Sequence, residues 1–148
     1  MDAARSNAPL LVVDTNVVLD LILGREPFVH NALTLFALAE AEQLALVLSA
    51  DAISTIGYIV ERNKDAQTAR AAITNLLGRV KLAPLDEGTV REGLGYDFID
   101  IEDSLVAAVA ARSKAVAIVT RNGTDFRNSP VPAVSPAEFL AFWASRES

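Results

Sequence analysis

Short apolar runs alternate along this chain with longer segments that are apolar on one side only. Leu10-Leu11-Val12-Val13 is the first run, and Asp14-Thr15-Asn16 ends it abruptly. Residues 44–48, 80–83, 115–119 and 131–134 form further runs, closed by Ser49, Pro84, Thr120 and Ser135. Apolar runs of this length, rich in branched residues, are expected of strands covered on both faces in a parallel sheet. The intervening segments read as helices. Residues 17–23 run into the stop signal Gly24, and Glu26-Pro27 opens a segment over 28–42 in which Val29, Ala32, Leu33, Phe36 and Ala39 fall one turn apart. Further helices are expected over 50–62, 66–77, 86–95 and 101–113, with a turn at 63–65, a connection at 96–99 and a polar loop at 120–129. Ser135-Pro136-Ala137-Glu138 carries a cap, a proline at the first helical position and a glutamate at the third, so it opens a C-terminal helix. Strand–helix alternation favours parallel pairing with right-handed crossovers. The expectation is one three-layer α/β domain over residues 1–148, with its core at about 10–140 and a flexible start at 1–8.

Composition narrows the chemistry. There are no cysteines and the one histidine, His30, lies in a helical pattern as a surface residue, so thiolate sites and His-dependent triads fall away. Carboxylates, hydroxyls, amides, lysine and arginine remain, a set suited to hard, oxygen-bound cations such as Mg²⁺ or Mn²⁺. No apolar run reaches the roughly 20 residues a membrane helix needs, and the N-terminus has no signal-peptide core, so a soluble cytoplasmic protein is expected. The formal net charge of −6 argues against a nucleic-acid partner. A carboxylate cluster that binds cations would reverse the local field and weaken that argument.

Three polar concentrations follow apolar runs or open helices. Asp14 ends the first strand, at the edge where open α/β sheets place ligands, although helix capping by Asp14 or Asn16 explains these residues equally well in isolation. Asp100 reads as the N-cap of the 101–113 helix, with Asp103 in its first turn and Glu102 on another, solvated face. Thr120-Arg121-Asn122-Gly123-Thr124-Asp125 follows the fourth strand, and Asn122-Gly123 is by itself an ordinary turn. Asp14, Asp103 and Asn122 or Asp125 can converge on one sheet edge. Gathered carboxylates raise one another's pKa unless a cation neutralises them, and a cation held that way can activate water against a phosphodiester.

At these residues the chain resembles PIN-domain proteins. The match runs through Val12-Val13-Asp14-Thr15-Asn16-Val17-Val18-Leu19-Asp20, then Asp100-Ile101-Glu102-Asp103-Ser104 and the helix after it, then Val119-Thr120-Arg121-Asn122-Gly123-Thr124-Asp125-Phe126. The resemblance implies a five-stranded parallel sheet of order 3-2-1-4-5, a Mg²⁺- or Mn²⁺-dependent ribonuclease acting on RNA, and commonly a homodimer. Small members are mostly toxins of VapBC-type pairs, so a cognate antitoxin is implied as well. Carried over by residue, Asp14 and Asp103 match the main metal-binding acids. Asn122 or Asp125 completes the site, and Thr15, Asn16 and Thr120 orient it. Asp20 matches a recurrent acid, with a salt bridge or a cap as the alternative. Arg25, Arg121 and Arg127 lie near the site edge as candidate RNA contacts or as ordinary surface arginines.

One departure stands out. Many family members carry a glutamate six residues beyond the serine that follows the second strand, and a subgroup carries threonine; from Ser49 that position is Thr55. Asp51, on the same helical face, would substitute or cap. The missing acid keeps open a PIN-like module that binds RNA or protein without cutting. A haloacid-dehalogenase-type phosphatase needs a second acid where Asn16 stands, and a response-regulator receiver needs an acid directly after the third strand, where Pro84-Leu85 stands. Apolar faces at 28–38 and 53–60 serve the core or a dimer or antitoxin surface.

Overall fold

A computed structural model describes residues 8–146 of the chain. The expected flexible start, apart from Ala8, lies outside the described residues. Five strands form one parallel sheet: β1 (Leu10–Val13), β2 (Ala45–Ser49), β3 (Lys81–Ala83), β4 (Ala117–Val119) and β5 (Ala133–Val134), in the order β3-β2-β1-β4-β5. The parallel sense is the one that strand–helix alternation predicts, and the order is the one that the resemblance implies.

Alternate residues of each central strand enter opposite cores, as the period of two demands. Leu11 and Val13, Leu46 and Leu48, and Ala117 and Val119 face one core, while Val12, Val47 and Ile118 face the other. The first core is closed by α1 (Thr15–Leu23), α2 (Val29–Glu40), α3 (Ala52–Asn63), α4 (Ala66–Leu77) and the C-terminal helix α7 (Pro136–Ser145). The second is closed chiefly by Val106, Ala107, Val109 and Ala110 of α6 (Ile101–Ser113), against which α5 (Glu87–Leu94) packs. The result is three layers with the sheet in the middle.

Local chemistry sets the helix starts. Ser135 accepts the Glu138 backbone N–H at 3.0 Å while the Glu138 carboxylate accepts the Ser135 N–H at 2.8 Å, the reciprocal cap foreseen in the sequence. Gly24, at φ 65°, ends α1 in the left-handed region that a Cβ disfavours. Pro27 does not open α2, because the helix begins only at Val29; the proline lies in the turn before it. Most of the apolar positions at 28–38 and 53–60 serve the core: Val29, Ala32, Leu35, Phe36, Ile56 and Val60 are buried, leaving Phe28, Leu33 and Tyr58 exposed. Among the described residues no helix is long and apolar enough to cross a membrane.

Candidate metal centre at the carboxyl edge of the sheet

Every strand is parallel, so the carboxyl ends of β1, β2 and β4 open on one edge, and the residues just beyond them build the site. Asp14 follows β1 directly. Its backbone N–H donates to the Val119 carbonyl at 2.9 Å, which continues the ladder and fixes where the side chain emerges. The carboxylate is nearly buried and holds three donors: the Thr15 backbone N–H at 2.8 Å, the Thr120 hydroxyl at 2.8 Å and the Asn16 amide at 3.2 Å. Asp14 is therefore the N-cap of α1 as well as the centre of a network. Burial pushes its carboxyl above the usual range and the Asp100 charge adds to that, while the hydrogen bonds from Thr120, Thr15 and Asn16 oppose the shift.

Thr120, just past β4 and fully buried, is the hub. Its oxygen gives its proton to Asp14 and accepts from the Asn122 N–H at 3.1 Å and the Asn16 amide at 3.4 Å. The other end of the Asn16 amide accepts the Arg121 N–H at 3.3 Å. Thr15, Asn16 and Thr120 thus hold the Asp14 carboxylate in place.

The second group comes from α6. Asp100 caps that helix, accepting the Asp103 N–H at 2.9 Å. Asp103 is half-buried, and its carboxyl is pushed up to about 7, by burial first and then by the charges of Asp100, Asp14, Asp125 and Glu102. Asp14, Asp103 and Asp125 therefore share one field. Asp100, Asp103, Thr124, Asp125 and Arg127 line an open cleft of about 380 Å³. Asn122 stands before a single 3-10 turn, Gly123–Phe126, which carries Asp125.

Two further acids, Glu102 and Asp51, contribute to the charge at this edge. Glu102 is exposed, as its place on a solvated face of α6 predicts. Its carboxyl is raised by partial burial first and then by the charges of Asp51, Asp100 and Asp14, with the Thr55 side chain opposing the shift. Asp51 occupies the N-cap position of α3 but makes no capping hydrogen bond; the Ser49 hydroxyl donates to its carboxylate instead.

The arginines divide. Arg127 lines the acidic cleft. Arg121 grips Asp20, with N–O distances of 2.7 and 3.1 Å, and lies 4.0 Å from the centre of the Phe28 ring. Arg25 stands 3.8 Å from the same carboxylate, so the buried Asp20 is the salt-bridge partner of both.

A PIN domain model matches residues 10–124, a span that contains the Asp14 and Asp103 motifs. The chain belongs to the PIN domain family. Solved structures with the same PIN architecture include the DNA-bound VapBC complex of Salmonella typhimurium (TM-score 0.69, 16% identity, 86% of this chain and 98% of that one). Mycobacterium tuberculosis VapC20, a toxin that cleaves the sarcin–ricin loop, gives a TM-score of 0.68 at 17% identity over 85% of this chain and 99% of that one. A toxin–antitoxin complex from Klebsiella pneumoniae gives 0.65 at 21% identity over 85% and 97%. At such identities the likeness is one of fold. No curated protein matches the sequence at a significant level.

The donors of this PIN domain are hard oxygens, and among the described residues no basic group forms an ion pair with Asp14, Asp51, Asp100, Glu102, Asp103 or Asp125. That chemistry fits a divalent cation with oxygen ligands. The acids line the edge without meeting at one point: among the described residues no three form a closed ligand set.

Proposed function

We propose that this PIN domain is a Mg²⁺- or Mn²⁺-dependent endoribonuclease, the toxin of a type II toxin–antitoxin pair. One observation carries the reading: Asp14 and Asp103, both with raised pKa and without a basic partner, flank the carboxyl edge of a PIN-domain sheet. Burying such groups unpaired is unfavourable, and a cation removes the penalty. Asp14 and Asp103 would hold the ion, with Asn122 or Asp125 completing its outer side. When bound, such an ion lowers the pKa of coordinated water and offsets the charge that builds on phosphorus.

The protein's own groups do the positioning. Thr15, Asn16 and Thr120 fix the rotamer of Asp14 with three donors, which keeps the carboxylate in place while RNA enters. Arg127, beside Asp100, Asp103 and Asp125, supplies a cation for a flanking phosphate. A cytoplasmic antitoxin and a homodimer complete the proposal, supported by the toxin–antitoxin complexes among its structural neighbours and by the exposed Phe28, Leu33 and Tyr58.

Cleavage of structured RNA in Mg²⁺ or Mn²⁺ tests the reading. Wild type should cut and lose activity in EDTA; Asp14→Asn and Asp103→Asn should each lose about a hundredfold or more, the scale of removing one preorganised electrostatic contact. If all three proteins behave alike, the chain is a PIN-fold binding module instead. Overexpression should arrest growth, and Asp14→Asn should relieve the arrest.

A further inference from the structure

Phe28, at the N-cap position of α2, is 40% exposed and lines a cleft of about 500 Å³ together with Pro27, Asn31, Arg121 and Ser135. That size suits a small ligand. Arg121 and Ser135 follow the carboxyl ends of β4 and β5, so the cleft opens on the sheet edge that carries Asp14. It is also linked to that acid. The Arg121 backbone N–H donates to the Asn16 amide oxygen at 3.3 Å, and the Asn16 amide nitrogen donates to Asp14 at 3.2 Å. We infer that Phe28 and Arg121 form a subsite for one unpaired nucleobase of the RNA, the base stacking against the ring and its phosphate lying toward Arg25 and Arg121. The inference rests on the ribonuclease reading above and adds to it a place where a nucleotide near the cut bond is held.

The platform is built in advance of any ligand. Two of the five N–H groups of the Arg121 guanidinium are spent on the buried Asp20, at 2.7 and 3.1 Å. The guanidinium is thereby fixed 4.0 Å from the centre of the Phe28 ring, and its other donors remain for a ligand. Fixing such groups beforehand lowers the cost of binding. Aromatic rings and guanidinium planes are the surfaces on which unpaired bases stack, whereas a base inside a duplex has both faces covered by its neighbours. Charge favours the phosphate too: Arg25, 3.8 Å from Asp20, and Arg121 bring two positive charges to one carboxylate. Nearby acids are engaged elsewhere, Glu26 with His30 at 3.0 Å and Glu138 with the Ser135 N–H at 2.8 Å.

A short single-stranded RNA carrying a fluorescent purine analogue, titrated with the full chain in EDTA, reads binding without cleavage, and stacking quenches the probe. Phe28→Ala should weaken binding about five- to a hundredfold and abolish the quenching, the cost of one base–aromatic stack. Phe28→Trp should retain both. Arg25→Gln should flatten the salt dependence of binding, which Phe28→Ala should leave unchanged; an unaltered slope overturns the phosphate contact. Circular dichroism and the melting temperature check the fold of each variant. If Phe28→Ala binds and quenches as wild type does while wild type cuts RNA in Mn²⁺, the subsite is refuted and the nuclease reading stands. If wild type binds RNA through Phe28 but never cuts it, the subsite stands and the nuclease reading falls. Phe28 is also one of the exposed side chains offered to a protein partner. If Phe28→Ala turns a dimer into a monomer in sedimentation and leaves RNA binding untouched, the ring belongs to that interface and the subsite is wrong. A wild-type protein that binds no RNA overturns both readings.

Discussion

Thr120 shows how much of the site depends on a single hydroxyl. Its one proton goes to Asp14, and its lone pairs receive Asn122 and Asn16. Thr120→Val keeps the shape but leaves the Asn122 N–H and one Asp14 oxygen short of a partner, so a loss of about 1–3 kcal/mol is expected in urea unfolding. Thr120→Ser should retain most of that stability. Asp20 is a second such residue, nearly inaccessible and gripped by Arg121. Removing its charge in Asp20→Asn should lower stability by about 1–3 kcal/mol, less than for a pair buried on both sides because the Arg121 side chain keeps 27% of its exposure. Sequence located Asp14, Thr120 and Asp103 because each stands one to three residues past an element boundary. It gave Asp51 a capping role that the structure does not show: the Ser49 hydroxyl donates to that carboxylate instead, a choice between two local partners that a linear pattern does not decide.

At the scale of elements, the start of α6 sets two demands against each other. Asp100 stabilises the helix as its cap and destabilises the ionised Asp103 by its charge. Asn caps about as well as Asp but carries no charge. Asp100→Asn should therefore leave α6 intact and bring the Asp103 titration down from about 7 towards the ordinary carboxylate range, as carbon-detected NMR against pH would show. An unmoved Asp103 would mean that burial and the other acids, not the Asp100 charge, set its value. The elements themselves were legible from apolar periodicity, including all five strands and the capped C-terminal helix. The short 3-10 turn at Gly123–Phe126 was not, since four residues are too few to show a period.

For the whole molecule, these raised acids make stability depend on pH in a definite direction. Asp103 binds its proton more tightly folded (about 7) than at its ordinary value of 3.8, and Asp14 is shifted the same way. The folded state then holds more protons than the unfolded chain between those values, so their contribution is full below the unfolded pKa and is lost as pH rises through the folded one. Asp65, Asp86 and Glu92 are shifted downward, and what they contribute disappears only on acidification below the ordinary carboxylate range. From about pH 5.5 to 8 in EDTA the melting temperature should therefore fall, and Asp103→Asn should flatten that slope. Mn²⁺ should raise the melting temperature more at about pH 8 than at about 5.5, because protons compete for the same oxygens.

Asp14 and Thr120 are anchored to two neighbouring central strands, whereas Asp103 and Glu102 ride on the first turn of a helix beside the exposed Ile99 and Ile101. On gentle warming, a helix end loosens well before a sheet centre does. The acidic edge should consequently come apart asymmetrically, one wall drifting while the other keeps its native form. A heated sample carrying the proposed cation would then release it several degrees before the sheet loses its shape.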